Sequence, residues 1–367
     1  MTRPQVFRWL RRALAGLLVL VIAFLTLAPI GRYLVRAAYE EGKILARRQP
    51  IAELIRAPVT DPALRAKLQL VLQARRFAID SLGLKAEQEF TTYSRLDRDT
   101  LVLVLSAAYR DSLAFRSWWF PVVGRVPYEG FFDFEQGQRE ATQVDADGFD
   151  AVLRPAAAFS TLGWFNDPLL PTTLALDSLE LANTIIHELV HTTYYAPGEA
   201  IFNESFANFV GSRGAERFFR ARGQPAAAQE VIARWDDERV FGEFWSALYT
   251  SLDSAFTDHP GDRAARLVAR DTVFTRARAH LRTTLAPRLR TMDSTAITRT
   301  RLNTASVLAR RIYLTDLELF EQVHAQQGGD IRRSIATLID LAKASKKSPY
   351  ASVKRHLGIP VPDSLLR

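Results

Sequence analysis

The chain has 367 residues, of which 48% are hydrophobic and 24% charged, a balance typical of a folded protein rather than a disordered one. It contains no cysteine, which excludes disulfide bonds, a thiolate nucleophile, cysteine ligands to a metal and a lipid-accepting cysteine near the N-terminus. The formal net charge is +8, but the basic residues are mostly arginines scattered through Ala-rich helical stretches, so we expect no nucleic-acid partner.

An apolar segment near the N-terminus predicts a membrane anchor. Four arginines among the first twelve residues precede an uncharged run over residues 13–31. Its roughly 19 residues, at 1.5 Å each in a helix, reach about 28 Å, close to the thickness of a bilayer core. A cleaved signal peptide is the competing interpretation, but the run is longer than a usual signal core and its one small-residue site is followed by Pro29. We predict an uncleaved single-pass anchor with a short tail inside and the body outside, although basic residues after the run weaken the charge asymmetry.

The segment that follows the apolar run has helical periodicity. Leu64, Leu68, Val71 and Leu72 recur at spacings of three and four residues, and prolines divide the stretch from 33 to 84 into pieces. We therefore expect short helices that pack on another part of the chain.

The periodicity then changes to that of strands. Residues 101–105 predict a buried strand, residues 122–128 a second one broken by Pro127, and residues 149–153 a third. A helix is expected over residues 134–144, between the last two strands. Together these elements predict a small mixed sheet with helical cover.

Beyond Asp177 the pattern is helical, with no convincing strand. Segments rich in Ala, Arg and Leu continue to about Lys346 with few breakers. We predict an α+β fold, in which a small mixed sheet packs on the helix that follows Asp177 and a mostly helical C-terminal region comes after it. The expected organisation is an N-terminal tail and anchor (1–31), a helical segment (32–99), an α/β core (100–215) and a helical region that closes a cleft (216–367).

The helix predicted after Asp177 carries an unusual set of buried polar residues. Asp177 and Glu180 are three residues apart, so their side chains can cap the exposed N–H groups of the first turn reciprocally. Apolar residues fill most of the positions that follow. Among them stand His187, Glu188 and His191, and the four-residue spacing places the two imidazoles one turn apart on the same face. The segment His-Glu-Leu-Val-His therefore matches the HExxH pattern.

Two histidines and a carboxylate on a buried helix require a compensating partner. Burying a carboxylate between two imidazoles is costly, and a divalent zinc ion with its bound water is the usual compensation. The alternative is a pair of core histidines held by hydrogen bonds. The pattern favours a zinc site in which His187 and His191 are ligands and Glu188 is the catalytic base.

A third ligand is predicted on the next helix. A proline-glycine pair ends the first helix, and a second helix is expected over about residues 199–219, with Glu204 early in its length. A returning helix can place Glu204 against the first one, whereas the alternative is an exposed carboxylate on a helix face. Zinc in hydrolases commonly takes three protein ligands and leaves a fourth position for water, so His187, His191 and Glu204 form a complete set for one ion.

The chemistry expected of such a centre is hydrolysis of a peptide bond. Coordination lowers the pKa of the bound water toward about 7, and Glu188 can take its proton and pass it to the leaving amine. A further donor should stabilise the oxyanion of the scissile carbonyl. We predict Tyr313 for this role, with Tyr194, Tyr195 and His324 as alternatives that sequence spacing does not separate.

The pattern His-Glu-x-x-His followed by Asn-Glu-x-x-Ala resembles that of the gluzincin class of zinc peptidases. Further segments look like those of the bacterial family of putative zinc aminopeptidases within this class. These segments are residues 39–45, 50–51, 120–132, 160–168, 202–205 and 209–211. The resemblance spans most of the chain outside the apolar run.

This resemblance implies an aminopeptidase with a gluzincin-like catalytic half. It also implies a strand upstream of the zinc helix that lines the substrate cleft, here over residues 156–161. Two features depart from thermolysin-like enzymes. Only twelve residues separate His191 from Glu204, and Asn208 stands where those enzymes often have an aspartate that supports a zinc histidine.

The sequence thus predicts a zinc-dependent peptidase, in particular an aminopeptidase, acting on a peptide substrate. In a bacterium, its anchor would lie in the inner membrane and its body in the periplasm. Aminopeptidase specificity requires an acidic group to hold the free ammonium of the substrate near the metal, and Glu129 and Glu199 are candidates. The alternatives are a zinc endopeptidase and a membrane-tethered, non-catalytic metal-binding scaffold.

Overall fold

Helices dominate the architecture, and short strands occur in the first half of the chain. The computed structural model describes residues 3–96, 102–120, 124–155, 168–345 and 348–361. The α-helices are α1 (Arg3–Leu27), α2 (Pro29–Ala46), α3 (Ile51–Arg56), α4 (Pro62–Phe77), α5 (Phe134–Ala146), α6 (Pro171–Leu174), α7 (Ser178–Thr193), α8 (Ala200–Ala221), α9 (Pro225–Thr257), α10 (Arg263–His280), α11 (Ser294–Thr298), α12 (Thr304–Leu314), α13 (Leu317–Gln326), α14 (Ile331–Ala344) and α15 (Pro349–His356). The strands are β1 (Arg48–Pro50), β2 (Thr92–Ser94), β3 (Leu103–Tyr109), β4 (Trp118–Phe120), β5 (Gly124–Val126), β6 (Tyr128–Phe131) and β7 (Phe149–Pro155). The expected α+β class and the mostly helical C-terminal region are confirmed.

The first helix forms the apolar N-terminal region, and the second helix begins the folded body. Within α1, the stretch Trp9–Leu27 is long and apolar enough to cross a membrane and has no protein packed around it, features that a signal sequence shares. Helix α2 packs on the body, where the ring of Tyr33 lies 5.5 Å from that of Phe120 and 6.4 Å from that of Phe132. Ile44 is buried in the same contact.

The strands form three small sheets. Strand β3 lies at the centre of the largest, between β6 and β7, while β1 pairs with β2 and β4 with β5. We expected one mixed sheet, but all of these pairs are antiparallel, and the one parallel contact among the described residues is the isolated bridge between Tyr93 and Leu169. Pro127 separates β5 from β6. The segment predicted as one broken strand, residues 122–128, therefore contributes to two different sheets.

The three-stranded sheet contacts helices on both faces. On one face, Leu105, Phe131 and Ala151 pack with Val144 of α5. On the other face, Ala108 packs with Ala305 and Leu308 of α12. Among the described residues the sheet therefore packs mainly on α5 and α12, and not on α7 as we had expected. The small Ala108 side chain lets α12 approach closely, and α12 in turn lies between the sheet and helices α8 and α9.

The main core surrounds α7 and α8. Its largest side chains come from several helices: Ile185, Ile186 and Leu189 of α7, Phe202, Phe206 and Phe209 of α8, Trp235 and Trp245 of α9, and Phe320 of α13. Helix α7 begins where predicted, because Asp177 Oδ1 accepts hydrogen bonds from the N–H groups of Leu179 and Glu180, each at 2.9 Å. The reciprocal bond expected from Glu180 is not formed, since its carboxyl bonds the side chain of Asn183.

Candidate metal centre

The three predicted ligands meet where α7 and α8 lie side by side. His187 and His191 present their Nε2 atoms to the same point, 3.3 Å apart. Glu204, from the second turn of α8, places Oε2 3.4 Å from His187 Nε2 and Oε1 3.6 Å from His191 Nε2. All three side chains are partly buried, and their ligand atoms form a cluster that could hold a metal ion.

The spacing of these atoms suits a tetrahedral ion. Zinc binds nitrogen and oxygen ligands at about 2.0–2.2 Å, so two ligand atoms on a tetrahedral sphere lie roughly 3.3–3.6 Å apart. The distances of 3.3 Å between the two Nε2 atoms and 3.4 Å between His187 Nε2 and Glu204 Oε2 fall in that range, and the other carboxylate oxygen, Oε1, lies 3.6 Å from His191 Nε2. Two imidazole nitrogens and a carboxylate that face one point also need positive charge between them. The residues therefore fit a divalent cation with one position open for a further ligand.

The electrostatics of the cluster lead to the same conclusion. Burial alone would lower the pKa of His191, but the hydrogen bond and charge of Glu204, together with the charge of Glu188, raise it. Burial alone would raise the pKa of Glu204, but hydrogen bonds to His187 and His191 lower it to about 2. The cluster therefore stabilises positive charge at its centre, which is what a bound cation supplies.

A buried asparagine holds the turn between the two ligand helices. Asn203 Oδ1 accepts a hydrogen bond from the N–H of Ala196 at 2.9 Å, and its Nδ2 donates to the carbonyl oxygen of Ala196 at 2.8 Å. This pair of bonds fixes the connection between α7 and α8 immediately before Glu204. Asn203 belongs to the Asn-Glu-x-x-Ala pattern, but the pattern alone does not reveal this role.

A glycine permits the close approach of the two helices beside the histidines. A Cβ atom on Gly211 would lie 2.3 Å from Asn183 Oδ1 and 3.2 Å from His187 Cβ. A larger residue here requires the Asn183 side chain to move and the backbone of α7 to shift by a few tenths of an ångström. Gly211 thus contributes to the position of the first ligand without touching its imidazole nitrogens.

Glu188 and Tyr313 both lie close to the ligands. Glu188 follows His187 on α7, and its charge acts on His191 and on the phenol of Tyr313. Burial raises the pKa of Tyr313, and the charges of Glu204 and Glu188 raise it further, so the phenol is neutral and able to donate a hydrogen bond. The predicted base and the predicted donor are therefore close enough for their charges and those of the ligands to act on one another.

The other predicted donors have different surroundings. The ring of Tyr195 lies 6.5 Å from that of His191 and is largely exposed, while Tyr194 ends helix α7. His324 Nδ1 is 2.8 Å from Ser334 Oγ, and its ring packs 5.8 Å from that of Phe209. His324 is thus engaged by other residues.

Asn208 does not take the role of an aspartate that supports a zinc histidine. Its Nδ2 donates to the carbonyl oxygen of Tyr313 at 2.8 Å, which ties α8 to α12. Within the described part of the chain, the buried His191 Nδ1 has no hydrogen-bond partner. The cleft strand expected over residues 156–161 lies outside the described residues.

The fold and the site together define an α+β protein whose His-His-Glu cluster, on two adjacent helices, can bind a metal ion. The chain belongs to the family described as putative aminopeptidase, whose model matches residues 32–352. The match covers most of the chain beyond the apolar helix. No curated protein and no solved structure matches this chain. Family membership supports a peptidase.

Proposed function

We propose that the protein is a zinc-dependent aminopeptidase of the gluzincin type, in which His187, His191 and Glu204 hold the ion. The convergence of these three side chains is the observation that carries the proposal. Two imidazoles, one carboxylate and an open position are the donor set of catalytic zinc in peptidases, and the chain has no cysteine that could supply thiolate ligands. The family match supports hydrolysis of peptide bonds as the reaction.

The bound ion would polarise the scissile carbonyl and make a water molecule acidic enough to lose a proton near neutral pH. Glu188 then acts as the base that takes this proton at a carboxylate oxygen. The same carboxyl returns the proton to the nitrogen of the leaving amine. The effect of the Glu188 charge on His191 and on Tyr313 supports this role.

Tyr313 supplies the second element of the proposed reaction. Its neutral phenol donates a hydrogen bond to the carbonyl oxygen as negative charge develops there. The hydrogen bond from Asn208 to the carbonyl oxygen of Tyr313 supports this role, because Asn208 lies one helical turn after Glu204 on α8.

We also propose that α1 anchors the body to a bacterial inner membrane, with the body in the periplasm. The length and composition of Trp9–Leu27 and the basic residues that precede it support this proposal.

Replacement of Glu188 separates metal binding from hydrolysis. In Glu188→Gln, the three ligands are unchanged, so the full-length protein in detergent should keep its zinc. It should lose at least about 10²-fold in kcat on aminoacyl amides, because the general base is removed. Glu243→Gln, on an exposed position of α9, is the matched control and should keep wild-type activity. Wild-type kcat in Glu188→Gln would refute the role of this residue. Preferential cleavage of N-terminally blocked peptides by the wild type would show an endopeptidase instead.

A further inference from the structure

A cavity of about 310 Å3 lies next to the candidate metal centre. Helices α8, α9 and α12 and the segment around α11 line it, and its apolar wall includes Phe241, Met292 and Leu314. Its volume is at the lower end of the range for small-ligand sites, roughly 300–1,000 Å3. The cavity therefore suits a single amino-acid residue better than an extended peptide.

Two of the lining residues connect the cavity to the metal ligands. Asn208 follows Glu204 by four residues on α8, so it lies one helical turn, about 6 Å, from that ligand. Tyr313, the proposed oxyanion donor, also lines the cavity. A substrate residue whose carbonyl carbon lies at the metal centre can therefore place its side chain and amino group in this cavity.

The cavity contains an acidic side chain without a partner. The side chain of Glu238 is partly buried, its carboxyl lies at the cavity wall, and it has no hydrogen bond or ion pair with any described residue. Its neighbour Asp237 is the opposite case, because its carboxyl accepts hydrogen bonds from the N–H groups of Arg290, Thr291 and Met292. A carboxyl at a cavity wall with no partner in the described part of the protein can accept hydrogen bonds from a ligand that enters the cavity.

We infer that this cavity binds the first residue of the substrate, with the Glu238 carboxylate as the counter-ion of its α-ammonium group. The inference rests on the proposed function, and it names the group that would make the enzyme an aminopeptidase. The apolar wall receives the side chain of that residue. The two candidates named from the sequence, Glu129 and Glu199, do not line this cavity.

The charges around Glu238 are consistent with a cationic ligand. Burial and the negative charge of Glu180 raise the pKa of Glu238 to about 8, although Arg310 opposes the shift. The guanidinium of Arg310 lies 5.8 Å from the ring of Phe241, and it forms no ion pair with a carboxylate in the described part of the chain. Arg154 also acts on Arg310, so the surroundings of Glu238 hold charges of both signs, and an entering ammonium group favours the ionised form of its carboxyl.

The test measures binding rather than turnover. Full-length protein in detergent is depleted of metal by a chelator and titrated with L-leucinamide and with N-acetyl-L-leucinamide, which lacks the ammonium group. L-leucinamide should bind about tenfold to 100-fold more tightly, the usual effect of a hydrogen bond to a charged group. This preference should disappear in Glu238→Gln and persist in Glu243→Gln, the exposed control on the same helix.

Three results would overturn the inference. The first is equal binding of the two ligands by the wild type, which requires no variant to fold. The second is survival of the preference in a Glu238→Gln protein that keeps a wild-type melting temperature. The third is Glu238-dependent binding of N-acetyl-L-lysinamide but not of L-leucinamide, which would assign the carboxyl to a side-chain ammonium.

The inference about Glu238 and the proposed function can be tested independently. If metal-free protein shows the predicted preference but the zinc-loaded enzyme hydrolyses nothing, the inference holds and the proposed function fails. If the enzyme cleaves aminoacyl amides and Glu238→Gln leaves their KM unchanged, the proposed function holds and the inference fails.

Discussion

The position of Tyr313 depends on contacts with the helix that carries a metal ligand. Asn208 bonds the carbonyl oxygen of Tyr313, and Ser205 Oγ donates to the carbonyl oxygen of Ile312 at 3.4 Å and accepts from the N–H of Thr315 at 3.2 Å. Two successive turns of α8 therefore hold the end of α12. These bonds fix the backbone, so removal of the phenol oxygen should change chemistry without changing the fold.

Tyr313→Phe is expected to lower kcat by about 10²-fold to 10³-fold, the usual effect of losing one oxyanion donor. KM and bound zinc should change little, because the ring and the three ligands remain. Steady-state kinetics on an aminoacyl amide, with zinc content measured on the same samples, check this expectation. Unchanged kcat would exclude Tyr313 as the donor and leave Tyr195, beside His191, as the next candidate.

At the scale of residues, the sequence predicted best what depends on spacing within one helix. His187 and His191 had to share a face because they are four residues apart. The position of Glu204 depends on the turn between two helices, and that turn depends on the hydrogen bonds of Asn203. Glu238 could not be found in this way, since its setting is made by helices far apart in the chain.

Helix α8 approaches α7 closely because Gly211 has no side chain. The nearest atoms to a Cβ at this position belong to Asn183 and His187 on α7. The separation of the two helices in turn sets the distance between the histidines and Glu204. A change in the distance between α7 and α8 should therefore first alter the affinity for the metal.

Gly211→Ala should destabilise the protein by about 1–3 kcal/mol through overpacking and weaken zinc binding, although the residue is not a ligand. Gly42→Ala is the matched control, because Gly42 also lies in a helix but has open space around its Cα. Alanine there should be neutral or slightly stabilising. Thermal unfolding and zinc titration of both variants test the contrast, and equal behaviour would show that helix separation does not set the site.

At the scale of elements, the helices were predicted well and the sheet was not. Helix periodicity and capping are local, so the observed starts of α5, α7 and α8 lie at or next to the expected positions. Strand pairing depends on contacts between residues that are far apart in the sequence. No local pattern predicts that Pro127 divides its segment between two sheets, or that Ala108 faces α12.

At the scale of the whole molecule, helix α2 joins the apolar helix α1 to the folded body. The side chains of Tyr33 and Ile44 pack with Val102, Phe132 and Leu170 of the body. By contrast, the apolar side chains of α1 are largely exposed. The boundary between the apolar helix and the folded body therefore lies between α1 and α2.

Two truncations test this boundary. A chain lacking residues 1–27 should fold and remain soluble without detergent, because it loses only exposed apolar surface. A chain lacking residues 1–46 should have a lower melting temperature, since the cluster around Phe132 becomes exposed. Equal melting temperatures for the two chains would show that α2 does not belong to the folded body.

Metal content is the most direct test of the central claim that two imidazoles and one carboxylate hold a single ion. The full-length protein, loaded with zinc and dialysed, should retain about one ion per chain by mass spectrometry, as should Glu188→Gln. His187→Ala and Glu204→Ala, treated in parallel, should retain little above background. Equal zinc in the wild type and these two variants would place the ion elsewhere and contradict the account.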